Sequence, residues 1–248
     1  MAAPTDALTF RVMTVNTHKG FTFFNRRFIL HDLRHAIRSV GADVVFLQEV
    51  LGAHARHPAG PPHYEFLADS IWPQYAYGRN AVSPAGHHGN ALLSKFPILR
   101  HYNRDVSVAG PERRGLLHCV LDLPARERAM HAICVHLGLK ETHRRHQLEL
   151  LCRMVTDEVP GDAPLVIAGD FNDWRARAHA VLQRCAGLKE VFTHAHGRAA
   201  RTFPARFPVL RLDRIYVRNA AAHRPVVLPP RPWTHLSDHA PLLAELTL

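Results

Sequence analysis

Short apolar stretches recur along the chain, and their pattern predicts strands. Over residues 8–16 the side chains alternate in character, as in a strand whose two faces differ. A continuous apolar run at residues 44–47 predicts a strand that is buried on both faces. Seven further strands are predicted in the same way, at residues 89–94, 116–123, 128–136, 165–168, 211–217, 221–228 and 241–248.

Apolar side chains three or four residues apart predict helices between these strands. Three are indicated, at residues 26–40, from a cap at residue 142 to a break at residues 160–161, and at residues 176–185. Asn25 and Thr142 are the candidate N-caps of the two long helices, and Gly41 ends the first. Residues 52–63 are rich in Gly, Pro and His and predict a loop.

Many strands with three or four helices indicate an α/β or α+β domain with two packed sheets. The 248 residues contain no interdomain linker, and we expect residues 1–248 to form a single domain. No stretch approaches the length of apolar sequence that a membrane-spanning helix needs. The first residues also lack the basic and apolar regions of a secretory signal.

The four cysteines are widely spaced and contain no Cys-x-x-Cys pair. Each of them, Cys119, Cys134, Cys152 and Cys185, lies in an apolar strand or helix pattern, so we expect reduced core thiols. Reduced thiols and the absence of a signal favour a cytoplasmic location.

The formal net charge of +10 suits an anionic substrate or surface. Arginine greatly outnumbers lysine, however, and GC-rich coding produces the same bias without selection for binding. The basic residues form no block of like charges. Charge alone therefore leaves both explanations open.

Polar side chains stand where several predicted strands end. Asn16 closes the first strand, Glu49 follows the second, and His136, Asp170 and His239 end or follow later ones. Ligands and catalytic groups gather at the carboxyl ends of strands. Carboxylates, amides and imidazoles brought together there would bind a hard cation and exchange protons beside it. Such a combination of functional groups is typical of a metal-assisted phosphoester hydrolase.

Three of these segments have distinctive sequences, which are Leu47-Gln48-Glu49, Gly169-Asp170-Phe171-Asn172-Asp173 and Ser237-Asp238-His239-Ala240-Pro241. In this order they resemble the endonuclease/exonuclease/phosphatase superfamily, which includes deoxyribonucleases, abasic-site endonucleases, neutral sphingomyelinases and inositol polyphosphate phosphatases. The resemblance extends from about Leu8 to Leu248. It implies a four-layer sandwich, in which two mixed β-sheets pack face to face with helices on the outside.

The resemblance also implies a Mg²⁺ site, with Mn²⁺ as a substitute. Glu49 is the first candidate ligand and Asn16 the second. Asp238 is expected near the metal, as a ligand of a second site or as a charge that raises cation affinity. Carboxylate and amide oxygens are the donors that Mg²⁺ prefers.

For catalysis, the resemblance assigns Asp170 to the attacking water and Asn172 to a phosphate oxygen. His239 is a second candidate base or else a ligand of the phosphate, with Asp213 accepting its other N–H as in hydrolytic triads. The choice between Asp170 and this pair stays open. An ion pair of Asp213 with Arg211 or Arg214 is the alternative role of that carboxylate.

His136 is expected to donate a hydrogen bond to a non-bridging phosphate oxygen. The carboxylate that orients this histidine in the deoxyribonuclease branch is missing here, and Asn90 is the candidate replacement. Arg114 matches the phosphate-facing arginine of the superfamily, with Arg113 as the alternative match. Asn90 is the second residue expected to bind the substrate phosphate.

The expected activity is phosphodiester hydrolysis on nucleic acid or on phospholipid or phosphoinositide head groups, by a monomer. The Phe21–Phe24 segment, near Asn16, would stack on bases or contact lipid head groups peripherally. Packing onto the following helix is its alternative role. A relative that binds a phosphorylated ligand or a protein without catalysis is the alternative function, which the complete motif set disfavours.

Overall fold

Two six-stranded mixed sheets form the framework of the protein. The computed structural model describes residues 7–20, 29–54, 61–84, 86–124 and 126–248. The Phe21–Phe24 segment lies outside these described residues, so its expected role stays a prediction. Asn25 lies outside them too, but it is not the N-cap of the first helix, which begins at Leu30 with Ile29 in the cap position.

The first sheet has the strand order β11-β12-β1-β2-β4-β3. Only its β1 and β2 are parallel neighbours, and the other pairs are antiparallel. Its strands are β1 (Thr9–Asn16), β2 (Val44–His54), β3 (Gln74–Ser83), β4 (Gly86–Ser94), β11 (Ala221–Val227) and β12 (Leu242–Thr247).

The second sheet has the strand order β5-β6-β7-β8-β10-β9. Its parallel neighbours are β7 and β8. Its strands are β5 (Ile98–Asp105), β6 (Gly115–Leu121), β7 (Met130–His136), β8 (Leu165–Asp170), β9 (Lys189–Glu190) and β10 (Asp213–Arg218).

Helices cover the outer face of each sheet. The helices are α1 (Leu30–Val40), α2 (His63–Ala68), α3 (Glu141–Glu158), α4 (Arg177–Ala186), α5 (Val191–His196) and α6 (Pro230–Leu236). Side chains of α1, α2 and α6 pack on the first sheet, and those of α3 and α4 pack on the second. A third apolar layer fills the space between the sheets. The predicted four-layer sandwich is therefore confirmed.

The alternation of side chains along β1 explains how one strand serves two of these layers. Phe10 and Val12 point between the sheets, whereas Met13 and Val15 point toward the helices. The strand is therefore buried on both faces toward its end, which brings Asn16 to the edge of the sheet without exposing it.

Some predicted boundaries are wrong. Thr142 does not cap α3, because the helix begins one residue earlier and Lys140 takes the cap position with an extended backbone. The predicted loop at residues 52–63 starts too early, since β2 continues to His54. Gly41 does end α1, with a left-handed φ of 64°.

The expectation of four reduced thiols is wrong for two of them. Cys152 of α3 and Cys185 of α4 form a disulfide, with their Cα atoms 5.9 Å apart. The two helices pack against each other on the second sheet, and this brings the cysteines together. Cys119 and Cys134 are free and buried. The disulfide removes the thiol argument for a cytoplasmic location.

Among the described residues, no helix combines the length and apolar character that crossing a membrane requires.

Candidate active site

The register of the second sheet sets three polar side chains next to one another. Asp170, the last residue of β8, is paired with His136 at the end of β7 and with Asp213 at the start of β10. All three are buried. Side chains opposite each other in neighbouring strands point to the same face, so this edge concentrates two carboxylates and an imidazole.

Gly169 is needed for this arrangement. Its φ of 146° is rare for residues with a side chain, and a Cβ there would lie 2.0 Å from the carbonyl oxygen of Val135. Only glycine lets β8 approach β7 closely enough at the position before Asp170.

The first sheet adds His239, which lies just before β12. Its Nδ1 is 2.8 Å from Oδ2 of Asp213. The turn that carries it is fixed by Ser237, whose Oγ accepts the His239 N–H at 3.0 Å and donates to the Asn16 carbonyl at 2.6 Å. Asp213 thus faces His239 instead of forming the alternative ion pair.

The neighbouring arginine is engaged elsewhere. Arg214 donates to the carbonyl oxygens of Arg211 and Asp173, at 2.6 and 3.2 Å. Its guanidinium therefore binds backbone carbonyl oxygens next to the site. The Asp213 carboxylate does not pair with it and faces the His239 imidazole.

Asp170 is the centre of the group. Its Oδ2 lies 3.5 Å from Nε2 of His136, 3.9 Å from Nε2 of His239 and 3.4 Å from Nδ2 of Asn16. Its Oδ1 accepts the backbone N–H of Asn172 at 2.9 Å. Burial raises the pKa of Asp170, and the nearby Asp213 carboxylate raises it further, although the imidazole of His239 opposes the shift.

The two histidines are shifted in opposite directions. Burial disfavours a charge on His239, but the carboxylates of Asp213 and Asp170 outweigh it and raise its pKa. Burial and the nearby Arg114 guanidinium hold the pKa of His136 well below its ordinary value. In the metal-free protein at neutral pH, His239 is therefore the charged imidazole and His136 the neutral one.

Glu49 sits at an irregularity in β2, where the pairing with β4 shifts register between Leu47 and Val50. Its φ of 56° is left-handed, as is the φ of 49° at Asn172. Each such residue stores about 1–3 kcal/mol of strain, and strained residues cluster at functional sites. Two of the predicted site residues therefore have unfavourable backbone conformations that the surrounding fold maintains.

Cations surround the Glu49 carboxylate. Nζ of Lys19 lies 3.7 Å from its Oε2. Burial alone would raise the pKa of Glu49, but the nearby basic groups, which are His136 and other imidazoles in their protonated forms and Lys19, together lower it to about 2. This environment stabilises the charged carboxylate, the form that binds a metal ion.

The other predicted residues lie around this centre. Asp238 Oδ1 is 3.4 Å from Nδ1 of His18, and Asn16 Oδ1 accepts the His18 N–H at 3.0 Å. Asn172 is buried and its Nδ2 donates to the Leu137 carbonyl at 2.9 Å. The five predicted catalytic residues are thus brought to one edge of the sandwich, together with the predicted ligands Asn16 and Glu49.

Arg114 rather than Arg113 adjoins His136. Its Nε donates to the carbonyl of Leu137 at 3.1 Å, and an Nη atom is 2.9 Å from Oε1 of Glu112. The Arg113 side chain is exposed. Glu112 is a supporting residue that the sequence analysis missed, because the superfamily pattern predicts a supporting carboxylate only in the segment before β4.

Asn90 is buried, but its amide does not orient the His136 ring. Its Nδ2 donates to the carbonyls of Gly115 and Cys134, at 3.0 and 3.3 Å. The polar group beside the His136 ring is Asp170. The expectation that Asn90 replaces the missing carboxylate is therefore wrong, and β4 contributes a clamp between β6 and β7 instead.

The donor set fits a divalent cation. Within the described ranges, one group of three side chains offers ligand atoms all within 4.8 Å of one another, formed by Asp170, Asp213 and His239. Oδ1 of Asp213 and Oδ1 of Asn90 are buried without a hydrogen-bond partner there. Buried acceptors that lack donors favour a cation or water. Of the predicted ligands, Asn16 donates to Asp170 of this group, whereas Glu49 faces Lys19 and Asp238 faces His18.

His18 and Lys19 are further residues of the site. The sequence analysis did not predict that they contact the candidate metal ligands. They follow Asn16 and Thr17 in a short 3-10 turn, His18–Gly20, in which His18 faces Asp238 and Lys19 faces Glu49. Their position two and three residues after a candidate ligand was the available signal.

Comparisons with known proteins show which proteins this chain is similar to. The profile of the Endonuclease/Exonuclease/phosphatase family matches residues 13–239. The chain is 58% identical over 254 residues to the Escherichia coli (strain K12) protein named "Uncharacterized protein YbhP", with 100% of both chains covered.

Solved structures share the fold. An endonuclease/exonuclease/phosphatase from Beutenbergia cavernae is similar with a TM-score of 0.77 and 19% identity, covering 97% of this chain and 72% of that one. The mannosyl-6-phosphatase Bt3783 from Bacteroides thetaiotaomicron has a TM-score of 0.73 and 16% identity, covering 96% and 100%. The profile match and the 58% identity show that this chain belongs to the endonuclease/exonuclease/phosphatase family.

Proposed function

We propose that the protein is a Mg²⁺-dependent phosphodiesterase, with Mn²⁺ as a substitute metal. The observation that carries this proposal is the convergence of the Asp213–His239 pair on Asp170, next to His136. Four buried ionisable groups at one strand edge are unfavourable for stability alone, so their grouping supports a chemical role.

Glu49, Asn16 and Asp238 are the residues proposed to hold the metal, with Asp170 close to Asn16. The ion would supply charge neutralisation at the phosphate and lower the pKa of a bound water. The Lys19 ammonium group lies 3.7 Å from the Glu49 carboxylate, which shows that a positive charge is accommodated beside this predicted ligand.

Asp170 and His239 are the two candidate proton acceptors that face the same space, and His239 can act as one only after its imidazolium has lost the Nε2 proton, which a nearby divalent cation would favour. His239 uses Nδ1 toward Asp213, which leaves Nε2 directed to the Asp170 carboxylate at 3.9 Å. We propose that the attacking water gives its proton to one of them as the new P–O bond forms and the ester bond breaks. Asn172, His136 and Arg114 would position the phosphate oxygens and stabilise their growing charge.

The substrate proposed for this site is a nucleic acid or a phospholipid or phosphoinositide-type diester. Phe21–Phe24 would contact its non-phosphate part. This role predicts that Phe23→Ala raises KM for the natural diester while a small aryl diester is turned over normally.

The direct test is hydrolysis of bis(p-nitrophenyl) phosphate with Mg²⁺, with Mn²⁺ and with chelator, for the wild type, Glu49→Gln and a matched Glu127→Gln control at an exposed position. We expect metal-dependent turnover that Glu49→Gln reduces and the control leaves unchanged. A parallel assay with p-nitrophenyl phosphate shows whether the protein prefers monoesters to diesters. Full activity in chelator contradicts the proposal, and ligand binding without turnover of any diester supports the alternative non-catalytic role.

A further inference from the structure

One segment of the chain carries much of its positive charge. Between Val191 and Ser237 there is a single carboxylate, Asp213, and it is buried against His239. The same segment contains eight arginines, namely Arg198, Arg201, Arg206, Arg211, Arg214, Arg218, Arg224 and Arg231. The formal charge of +10 is therefore concentrated along the flank formed by α5, β10, β11 and α6.

This flank contains a cavity of about 440 Å³. Its ionisable lining residues are all cationic or imidazole groups: Arg198, Arg201, Arg211 and His196. Phe192 and Val227 form apolar walls. The volume lies in the range of small-molecule sites, and a concave shape suits a compact ligand better than a flat polymer surface.

The three arginines of the cavity lack carboxylate partners. In the part of the chain that the structure describes, other arginines such as Arg104 and Arg114 form ion pairs, but none of these three does. Arg211 donates only to the carbonyl of Ala199, at 3.1 Å. Several guanidinium groups around one cavity repel each other, and a bound anion would relieve this repulsion.

We propose that this cavity binds a small phosphorylated ligand with two or more negative charges. Guanidinium groups form bidentate hydrogen bonds with phosphate oxygens, which explains why arginine is the residue type here. The cavity is a separate site from the catalytic centre, because none of its lining side chains belongs to that centre.

The two sites share backbone. Arg211 lies two residues before Asp213, and Arg201 precedes Thr202, whose Oγ1 accepts the N–H groups of Leu212 and Asp213, both at 3.3 Å. A ligand that orders Arg201 and Arg211 would therefore also restrain the segment that positions Asp213.

The test is titration calorimetry with inorganic pyrophosphate in chelator, so that no metal can recruit the ligand to the catalytic centre. The variant is Arg198→Glu/Arg201→Glu, since both side chains are exposed and their replacement should not disturb folding. The matched control is Arg153→Glu/Arg184→Glu, which changes the net charge equally at exposed positions of α3 and α4.

We expect the wild type to bind pyrophosphate and the cavity variant to bind it about tenfold or more weakly, the effect of losing one charge-assisted contact. The control should change the affinity by about twofold at most at physiological salt. Circular dichroism melts verify that both variants are folded.

Three results would overturn the proposal: no pyrophosphate binding at millimolar concentration, equal affinity in the cavity variant, or an equal loss in the control. A single-stranded oligonucleotide is titrated in parallel. If it alone binds and depends on Arg198 and Arg201, the flank is a polymer surface and the small-ligand proposal is wrong.

Discussion

Nδ1 of His239 lies 2.8 Å from Oδ2 of Asp213, and this contact joins the turn before β12 of one sheet to the first residue of β10 in the other. A carboxylate at Nδ1 fixes the ring orientation and leaves Nε2 for chemistry. The contact is therefore both a link between the sheets and a constraint on the reactive nitrogen.

The first prediction is that these two residues act as a unit. Asp213→Asn and His239→Ala should each lower kcat by roughly 10²–10⁴, the range of a positioned acid–base group. The double variant should be little worse than the worse single one, because each removes the same function. Steady-state kinetics on an aryl diester measures this, and full additivity would show that Asp213 acts independently.

The second prediction concerns the electrostatic effect of Asp170 on His239. Asp170→Asn should lower the pKa of His239 in the metal-free protein, because the Asp170 carboxylate is one of the charges that raise it. NMR titration of the His239 ring protons measures the shift. Asp162→Asn, an exposed carboxylate paired with Arg128, is the control and should leave the titration unchanged. An unaltered titration in Asp170→Asn would mean that the other carboxylates, Asp213 and Asp238, set the charge of His239 without Asp170.

The third prediction is a pH dependence of stability. The pKa of Glu49 is lowered from 4.5 to about 2 on folding, so its contribution is present above about pH 4.5 and is lost as the pH falls toward 2. The maximum contribution is about 3 kcal/mol. Urea unfolding in chelator should show Glu49→Gln less stable than the wild type at pH 7, with a smaller difference at pH 3.5.

Glu127→Gln serves as the matched comparison for that measurement, because its carboxylate is exposed. A free-energy difference between wild type and Glu49→Gln that is the same at both pH values would contradict the charge environment described for Glu49.

The fourth prediction concerns the disulfide between α3 and α4. Peptide mapping without reductant should recover Cys152 joined to Cys185. For a separation of 33 residues, the chain-entropy argument gives a stabilisation of roughly 3–4 kcal/mol. Dithiothreitol should lower the free energy of unfolding of the wild type and leave that of Cys185→Ser unchanged. Four titratable thiols in the denatured, unreduced protein would show that the bond does not form.

The sequence predicted the residues that follow strongly apolar strands. Glu49, Asp170 and His136 each end or follow a run of buried side chains, and such runs are visible without tertiary information. Their grouping on one edge followed from the family resemblance and from the rule that ligands collect at strand ends.

What the sequence did not predict depends on contacts between distant segments. The edge strands β3 and β5 carry many exposed polar side chains, so they lack the apolar pattern that marks a strand. Glu112 contacts the backbone N–H of Leu139, 27 residues further along the chain, and Cys152 and Cys185 lie on two helices that the fold brings together. Periodicity shows which face of a helix is buried, but it does not show which residue of another helix it meets.

The site draws residues from both sheets, and this has a consequence for how the protein tolerates change. A divalent cation bound between Glu49 and Asp170 would bridge the two halves of the sandwich, so it should raise the unfolding temperature, and more so the more tightly it binds. Conversely, smaller side chains in the apolar layer between the sheets would change the distance between site residues of the first sheet and those of the second. Changes in substrate preference are therefore more readily accommodated at the rim of the site than in the buried layer beneath it.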